Sequence, residues 1–426
     1  MDIDIDKLKK SDFFCIAPWT HMIANPDGRT WACCLTAGGG GNYGSLYENT
    51  LEEIWNSDQI KKMRLDMLNG VKRPECKVCH QLEKNQLESY RNEFNEKFSD
   101  HFEFVKETKE DGTFDRFNLV SWDFRLSNTC NFKCRMCSSL LSSSWGEEIR
   151  QQSPNTDITP IIKIDKPSLW SEINNLCPMV EQVYFAGGEP LIMDSHYEIL
   201  DKLIDHKKFN VSLVYSTNFS TLTYKDKNIF DYWEKFPNLF INLSIDGFEE
   251  RGEFIRKGLN WNKFVDNVKK FHKKFKNSET KLRIFVTAQL LNSVHIIDLH
   301  KKLYEEEIIK NLDDFVISPL TDPSCMSVQC LPFKFKKQLV EDIMNHIKFY
   351  LKPRGAIEAI SQFAAYVKFL LEESSTERLE QFVLKMKDLD KIRNEDVRKV
   401  FPEFEEIIWK PYADLFAFSI EELLDV

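Results

Sequence analysis

Three cysteines stand close together in the run Cys130-Asn131-Phe132-Lys133-Cys134-Arg135-Met136-Cys137. Thiolates are soft ligands that suit iron–sulfur clusters. The C-x3-C-x2-C spacing is short enough to wrap three corners of one cluster. A cubane [4Fe–4S] cluster has four irons, so Cys130, Cys134 and Cys137 would leave one iron for a ligand that is not protein. The loop follows an apolar, strand-like run, Leu119 to Leu126, which would hold it at a strand end. The alternatives are a zinc site or three unrelated thiols. Zinc sites usually close with four ligands, often as two CxxC or Cys/His pairs, and no fourth ligand lies nearby.

Downstream comes Gly187-Gly188-Glu189-Pro190. With the cysteine loop it resembles the radical S-adenosylmethionine (radical SAM) superfamily. The resemblance implies that the open iron binds the amino and carboxylate groups of S-adenosylmethionine. One electron, from a donor such as flavodoxin or ferredoxin, then cleaves the sulfonium, and the 5′-deoxyadenosyl radical takes hydrogen from the substrate. It also implies that Gly187, Gly188, Glu189 and Pro190 meet the cofactor's amino group. Two glycines let the backbone approach closely, and proline stiffens the exit. Met136 takes the position beside the adenine that is usually aromatic in the family; methionine can pack there. Ser216-Thr217-Asn218 resembles the ribose-contacting segment, through Ser216 and Asn218. Ser244 and Asp246 end a fourth strand, where such residues meet cofactor or substrate. Arg256 resembles an arginine that approaches the cofactor carboxylate. The alternative for Ser216, Ser244, Asp246 and Arg256 is ordinary strand-end capping. No catalytic side chain is assigned beyond the cluster and cofactor contacts.

A second constellation precedes the first. Cys15 is followed by Gly28, by Cys33 and, further on, by Cys76-Lys77-Val78-Cys79. This C-x9-15-G-x4-C pattern with a distant CxxC resembles the SPASM/twitch domain of radical SAM enzymes. The resemblance implies an auxiliary [4Fe–4S] cluster held by Cys15, Cys33, Cys76 and Cys79, so that two clusters are expected. A zinc ribbon on the same four cysteines is the alternative. Asn25-Pro26-Asp27-Gly28 has turn chemistry and predicts a hairpin that brings Cys15 and Cys33 together at its open end. The G-x4-C count leaves Cys34 as a buried thiol. In most relatives this domain follows the barrel, whereas here it precedes it.

The elements that must position these residues follow from pattern. Six strand-like runs, Leu119–Leu126, Gln182–Phe185, Val211–Ser216, Phe240–Ile245, Arg283–Leu290 and Phe315–Ser318, alternate with helical stretches. Alternation of this kind argues parallel α/β packing, here a partial (β/α)6 TIM-like barrel with chemistry at the strand C-terminal ends. The expected divisions are an auxiliary-cluster domain over 1–98, a linker over 99–118, the barrel over 119–320 and a helical region over 321–426; within the linker, Glu103 to Arg116, rich in charge and containing Asp111-Gly112, reads as a solvated connection or hairpin. Thr50-Leu51-Glu52-Glu53 has capping-box form. One helix is expected from His80 to Phe98, and three in the tail: Phe333–Leu351, Ala356–Leu371 and Thr376–Leu389. Cys325 and Cys330 read as buried thiols, and His196, His206, His295 and His300 show no ligand pairing.

Composition bounds the rest. The chain has 426 residues and a net charge of −10, which argues against nonspecific nucleic-acid binding. The lysine run after Trp261 reads as a solvated face. The longest apolar runs, such as Leu239 to Ile245, fall far short of a membrane span. The acidic start, Met1-Asp2-Ile3-Asp4-Ile5-Asp6, lacks the layout of a secretory signal, and clustered cysteines suit a reducing compartment, so cytoplasm is the expectation. The expected function is hydrogen abstraction from a peptide or small molecule, with net oxidation of the substrate. The alternatives are redox-neutral epimerisation or rearrangement, and a non-catalytic iron–sulfur or zinc module. A methyl- or sulfur-inserting enzyme fits less well, since no cobalamin module or RNA-binding domain is apparent.

Overall fold

The computed structural model describes residues 3–417 apart from 37–40, 85–87, 154, 156–157, 277 and 373–374. Strands β1 (His21–Ala24) and β2 (Thr30–Trp31) form the expected hairpin. Gly28 takes φ +82° at its turn, and a Cβ there would lie 2.5 Å from the Tyr47 ring. The six predicted strands are β3 (Ser121–Phe124), β4 (Gln182–Phe185), β5 (Ser212–Thr217), β8 (Leu239–Ser244), β9 (Lys281–Ala288) and β10 (Phe315–Pro319). Between β5 and β8, β6 (Thr223–Tyr224) and β7 (Lys227–Asn228) make a separate two-stranded hairpin. The main sheet runs β10-β9-β8-β5-β4-β3-β1-β2, and every pair from β1–β3 to β9–β10 is parallel. Helices on the connections cover one face, which makes the core a partial (β/α)6 barrel.

Register sorts the side chains of this barrel into two kinds. One face carries Trp122, Val183, Leu213, Ile241, Ile284 and their neighbours, all buried. The other carries Asp123, Tyr184, Ser216, Asn242, Ser244, Arg283 and Thr287, several only half-buried. Alternate residues of a strand point to opposite faces, so the apolar face packs on helices and the polar one lines the inner, open side.

The N-terminal hairpin extends this sheet: β1 pairs with β3 in register from His21↔Ser121 to Ala24↔Phe124. The capping box forms at Thr50, whose hydroxyl accepts from Glu53 N–H while the Glu53 carboxylate accepts from Thr50 N–H. Two expectations need correction. Glu103 to Arg116 is solvated only at a hairpin-like turn, where Lys109 N–H donates to the Thr113 carbonyl at 2.9 Å; a 3-10 helix, Ser99–Glu107, and its continuation bury Phe102, Val105 and Phe114. The single helix expected from His80 to Phe98 is two, Lys77–Lys84 and Tyr90–Lys97; residues 85–87 between them lie outside the described residues. Ser89 caps the second by accepting from Asn92 N–H. In the tail, helices Phe333–His346, Ile357–Glu372 and Leu379–Arg393 pack on the barrel, the second against β10. No described helix is long and apolar enough to cross a membrane.

Candidate metal centres and active site

The cysteine loop leaves β3 and is tied down by its backbone. Ser142 and Ser144 hydroxyls donate to the carbonyls of Phe132 and Cys130 at 2.6 and 2.7 Å. The Trp145 indole donates to the Cys134 carbonyl at 2.8 Å. From the other side, Lys133 N–H and Arg135 N–H donate to the carbonyls of Lys257 and Ile255 at 2.7 and 2.9 Å. The three thiols lie within electrostatic reach of one another, and burial raises each: Cys134 to about 12, and Cys130 and Cys137 also upward. Such thiols stay protonated alone and would release protons on binding a metal.

The Gly-Gly-Glu-Pro turn is locked into this loop. Gly187 takes φ +108°, and a Cβ on Gly188 would lie 2.2 Å from the Thr129 carbonyl oxygen, so only glycine fits. Glu189 N–H then donates to that carbonyl at 2.8 Å. The Glu189 carboxylate accepts from Thr217 Oγ1 at 2.6 Å, Asn218 N–H at 2.7 Å and Leu191 N–H at 3.1 Å. Burial outweighs those bonds and pushes its pKa up to about 7. Pro190 opens a short 3-10 turn. Asn218 donates to Asn131 Oδ1 at 3.0 Å, and Asn131 donates to Ser220 Oγ at 2.9 Å, so the end of β5 braces the cysteine loop.

Asp246 and Arg256 form a buried pair, Nε to Oδ2 at 2.8 Å, and Arg256 Nη1 reaches within 4.0 Å of Cys134 Sγ. Burial works against the Arg256 charge, but the Asp246 carboxylate outweighs it and raises the guanidinium above its ordinary value. Asp246 Oδ1 also accepts from Thr287 N–H at 2.7 Å. The residues brought to the triad are therefore Gly187, Gly188, Glu189, Asn218, Asp246 and Arg256. Met136 is half-buried within the loop. Ser216 and Ser244 sit deeper, on the inner strand face, where Ser216 Oγ bonds Tyr184 OH at 2.7 Å. The sequence reading missed that face. Arg125 is bound bidentately to Asp123 at 2.9 and 2.8 Å, and Arg283 Nε donates to Asn242 at 2.6 Å. The signal was available as polar residues recurring at second positions of the strands, among Val214, Phe240 and Phe285 on the same face.

The other four cysteines, Cys15, Cys33, Cys76 and Cys79, line one cavity of about 30 Å³. Asn95 holds Cys15 from both sides, donating to Phe14 O and accepting from Ile16 N–H. Cys76 ends a 3-10 turn and Cys79 lies one helical turn later. Burial raises Cys15 and Cys76 to about 12 and lifts Cys79 as well. Cys33 is raised by its hydrogen bond with Cys34 and by burial, and the same bond lowers Cys34. Cys34 is half-buried rather than buried. Arg91, beside this cavity, is neutralised by Glu83 at 2.8 and 2.7 Å. Cys330 is buried and Cys325 half-buried. His196, His295 and His300 find Tyr215, Glu403 and His346 as partners.

Residues 124–290 match the family profile described as the Radical SAM superfamily, and residues 15–81 match an iron–sulfur cluster-binding domain. The chain carries a radical SAM domain over its barrel and an iron–sulfur cluster-binding domain ahead of it. The two radical SAM and SPASM domains imply [4Fe–4S] clusters and S-adenosylmethionine. No curated protein matches the chain. Among solved structures it is similar to native anSMEcpe with bound AdoMet, at 18% identity and a TM-score of 0.37, covering 54% of this chain and 61% of that one. SuiB of Streptococcus suis bound to its precursor peptide SuiA gives 15% identity and a TM-score of 0.38, covering 70% and 64%. The chain thus spans less than two thirds of either protein. TYW1 with a lysine-pyruvate adduct gives 14% and 0.28. Resemblance at this level says nothing of substrate.

The residues present suit the groups the radical SAM family implies. Both constellations are all-thiol, the donor set that iron–sulfur clusters take. Among the described residues no three His, Cys, Asp or Glu side chains converge on a single ion. The triad is ringed by polar groups, and the four-cysteine cavity is walled mainly by apolar ones such as Phe13, Met63 and Phe94.

Proposed function

We propose that this radical SAM protein is an enzyme that abstracts hydrogen from a peptide or small molecule, with S-adenosylmethionine consumed as co-substrate and net two-electron oxidation of the substrate. The observation that carries this reading is the join between the cysteine loop and the Gly-Gly-Glu-Pro turn, made by the 2.8 Å bond from Glu189 N–H to the Thr129 carbonyl. Cys130, Cys134 and Cys137 would hold the cluster that keeps an open iron. Bound there, a reduced [4Fe–4S] cluster with S-adenosylmethionine supplies a 5′-deoxyadenosyl radical. Glu189 fixes the end of β5 against the turn, so that Asn218 and the glycine backbone face one space. Arg256, buried and paired with Asp246, would meet the cofactor carboxylate through Nη1, which lies 4.0 Å from Cys134 Sγ. The polar inner face, through Arg125, Asp123, Tyr184 and Ser216, offers the substrate hydrogen bonds below that space.

Cys15, Cys33, Cys76 and Cys79 would close a second cluster on all corners. A closed cluster accepts an electron more readily than it binds substrate. A substrate radical that loses one electron to it, and one proton to solvent, has lost two hydrogens in all. Redox-neutral epimerisation is the competing outcome. An electron donor such as flavodoxin or ferredoxin, and a reducing, cytoplasmic setting, belong to the same reading.

The test is anaerobic incubation with S-adenosylmethionine and a reductant. Wild-type protein should form 5′-deoxyadenosine, and the triple variant with Cys130, Cys134 and Cys137 changed to alanine should form none. Product from the triple variant would sink the assignment. Once a substrate is found, a product lighter by two hydrogens supports oxidation. An unchanged mass with solvent deuterium supports epimerisation.

A further inference from the structure

Arg135 lies inside the cysteine loop, between Cys134 and Cys137, and its side chain is fully buried. It turns away from the thiols towards the C-terminal region. Its Nη2 donates to Asp390 Oδ1 and to Glu395 Oε2, both at 2.6 Å, and its guanidinium stacks 3.6 Å from the Phe254 ring centre. Three more ion pairs join the same regions. Lys257, whose carbonyl accepts from Lys133 N–H in the loop, pairs with Glu395 at 2.6 Å. Lys133 and Arg393 share Glu148 at 2.7 and 2.8 Å, and Arg393 and Glu148 are almost fully buried. Arg393 and Lys385 also flank the Trp145 ring, whose N–H holds the Cys134 carbonyl. The tail segment that supplies Asp390, Arg393 and Glu395 is itself tied by local hydrogen bonds. Asn394 takes φ +52°, Glu395 N–H donates to the Asp390 carbonyl, and Asp390 Oδ2 accepts from Val397 N–H at 2.6 Å.

We propose that this C-terminal turn, residues 390–397, is the clamp that positions the catalytic cysteine loop, with Arg135, Asp390 and Glu395 as positioning residues. The inference rests on the reading of Cys130, Cys134 and Cys137 as cluster ligands. A buried charge that loses its partner is far more costly than a pair replaced by apolar groups. Removing the carboxylates therefore leaves a guanidinium that must reach water, and it drags the stretch from Cys134 to Cys137 with it. The auxiliary site, on another part of the chain, is untouched by that movement.

The test uses the full chain reconstituted without air. Wild type should hold about eight irons, and the double variant Asp390→Asn/Glu395→Gln about four, with the survivors on the auxiliary cysteines. The reduced double variant should lose its spectroscopic response to S-adenosylmethionine, and 5′-deoxyadenosine formation should fall at least about tenfold. Adding Arg135→Met removes the stranded charge and should recover most of the lost iron. A double variant with wild-type iron and wild-type response overturns the proposal. So does loss of both clusters together with the far-ultraviolet signal of the fold, which would make the network a general stabiliser. Wild-type iron that does not fall when Cys130, Cys134 and Cys137 are changed to alanine overturns the cluster reading itself, and the clamp with it.

Discussion

Glu189 shows how much of the site turns on single groups. The resemblance assigns it to the cofactor, yet its oxygens already accept from Thr217, Asn218 and Leu191. Its work within the chain is that of a strut between two strand ends. Glu189→Gln replaces an acceptor oxygen with a donor facing donors, which costs about 1–3 kcal/mol for each unmet buried group. S-adenosylmethionine affinity should drop by about tenfold or more, since 1.4 kcal/mol is one decade; equilibrium dialysis of the reconstituted protein measures it. Affinity equal to wild type would mean that the strut is dispensable. Gly188→Ala should do more. Its methyl group has no place beside the Thr129 carbonyl at 2.2 Å, so the turn must part from the loop. Iron at the triad and 5′-deoxyadenosine formation should both fall, while auxiliary iron stays. The glycines and cysteines were legible in the sequence because their chemistry is local. Arg135 was not: its partners lie 255 and 260 residues away, beyond any spacing rule.

Among the elements, the strands were read nearly whole. β4 matches its expected bounds, and the others shift by only a few residues at their ends. Buried parallel strands advertise themselves by apolar runs between helices. What was lost is what depends on distant pairing. β1 joins β3 by parallel hydrogen bonding, and nothing within a span of four residues announces a partner so far along the chain. The start of a new helix at Tyr90, capped by Ser89, is masked in the sequence by the four-residue spacing of Tyr90, Phe94 and Phe98, which reads as one continuous helical stripe. The cavity at the open end of the hairpin gives this element its own prediction. Replacing Cys15, Cys33, Cys76 and Cys79 by serine should leave about four irons and preserve basal S-adenosylmethionine cleavage. Because metal binding and local folding are linked, the same variant should be cut faster by protease within residues 11–84 than wild type. Stoichiometric zinc in protein prepared without air would point instead to a zinc ribbon.

Across the whole molecule, four histidines are buried neutral. Burial lowers His21 and His300 to about 4, and His196 and His346 to about 3. As pH falls below about 6.5 the unfolded chain gains protons that these rings refuse, so each removes about 1.4 kcal/mol of stability per pH unit until its own value is reached. Glu189, Asp246 and Asp390 act in the opposite sense: burial raises them, the folded chain takes their protons first, and acid favours it. A difference measurement separates the two. In His300→Gln the slope of unfolding free energy between pH 5 and 6.5 should flatten by about one proton, read from denaturant midpoints. An unchanged slope would mean that His300 is charged in the fold. The shared sheet has a further consequence, in time rather than space. β1 precedes its partner β3 by 100 residues. At about 5–20 residues per second, the ribosome would expose that unpaired edge for roughly 5–20 s before Ser121 to Phe124 exist to cover it. Cys15 and Cys33 are therefore made well before the strand their hairpin leans on. Iron delivered to the nascent chain would meet a site whose backing wall is still to be translated.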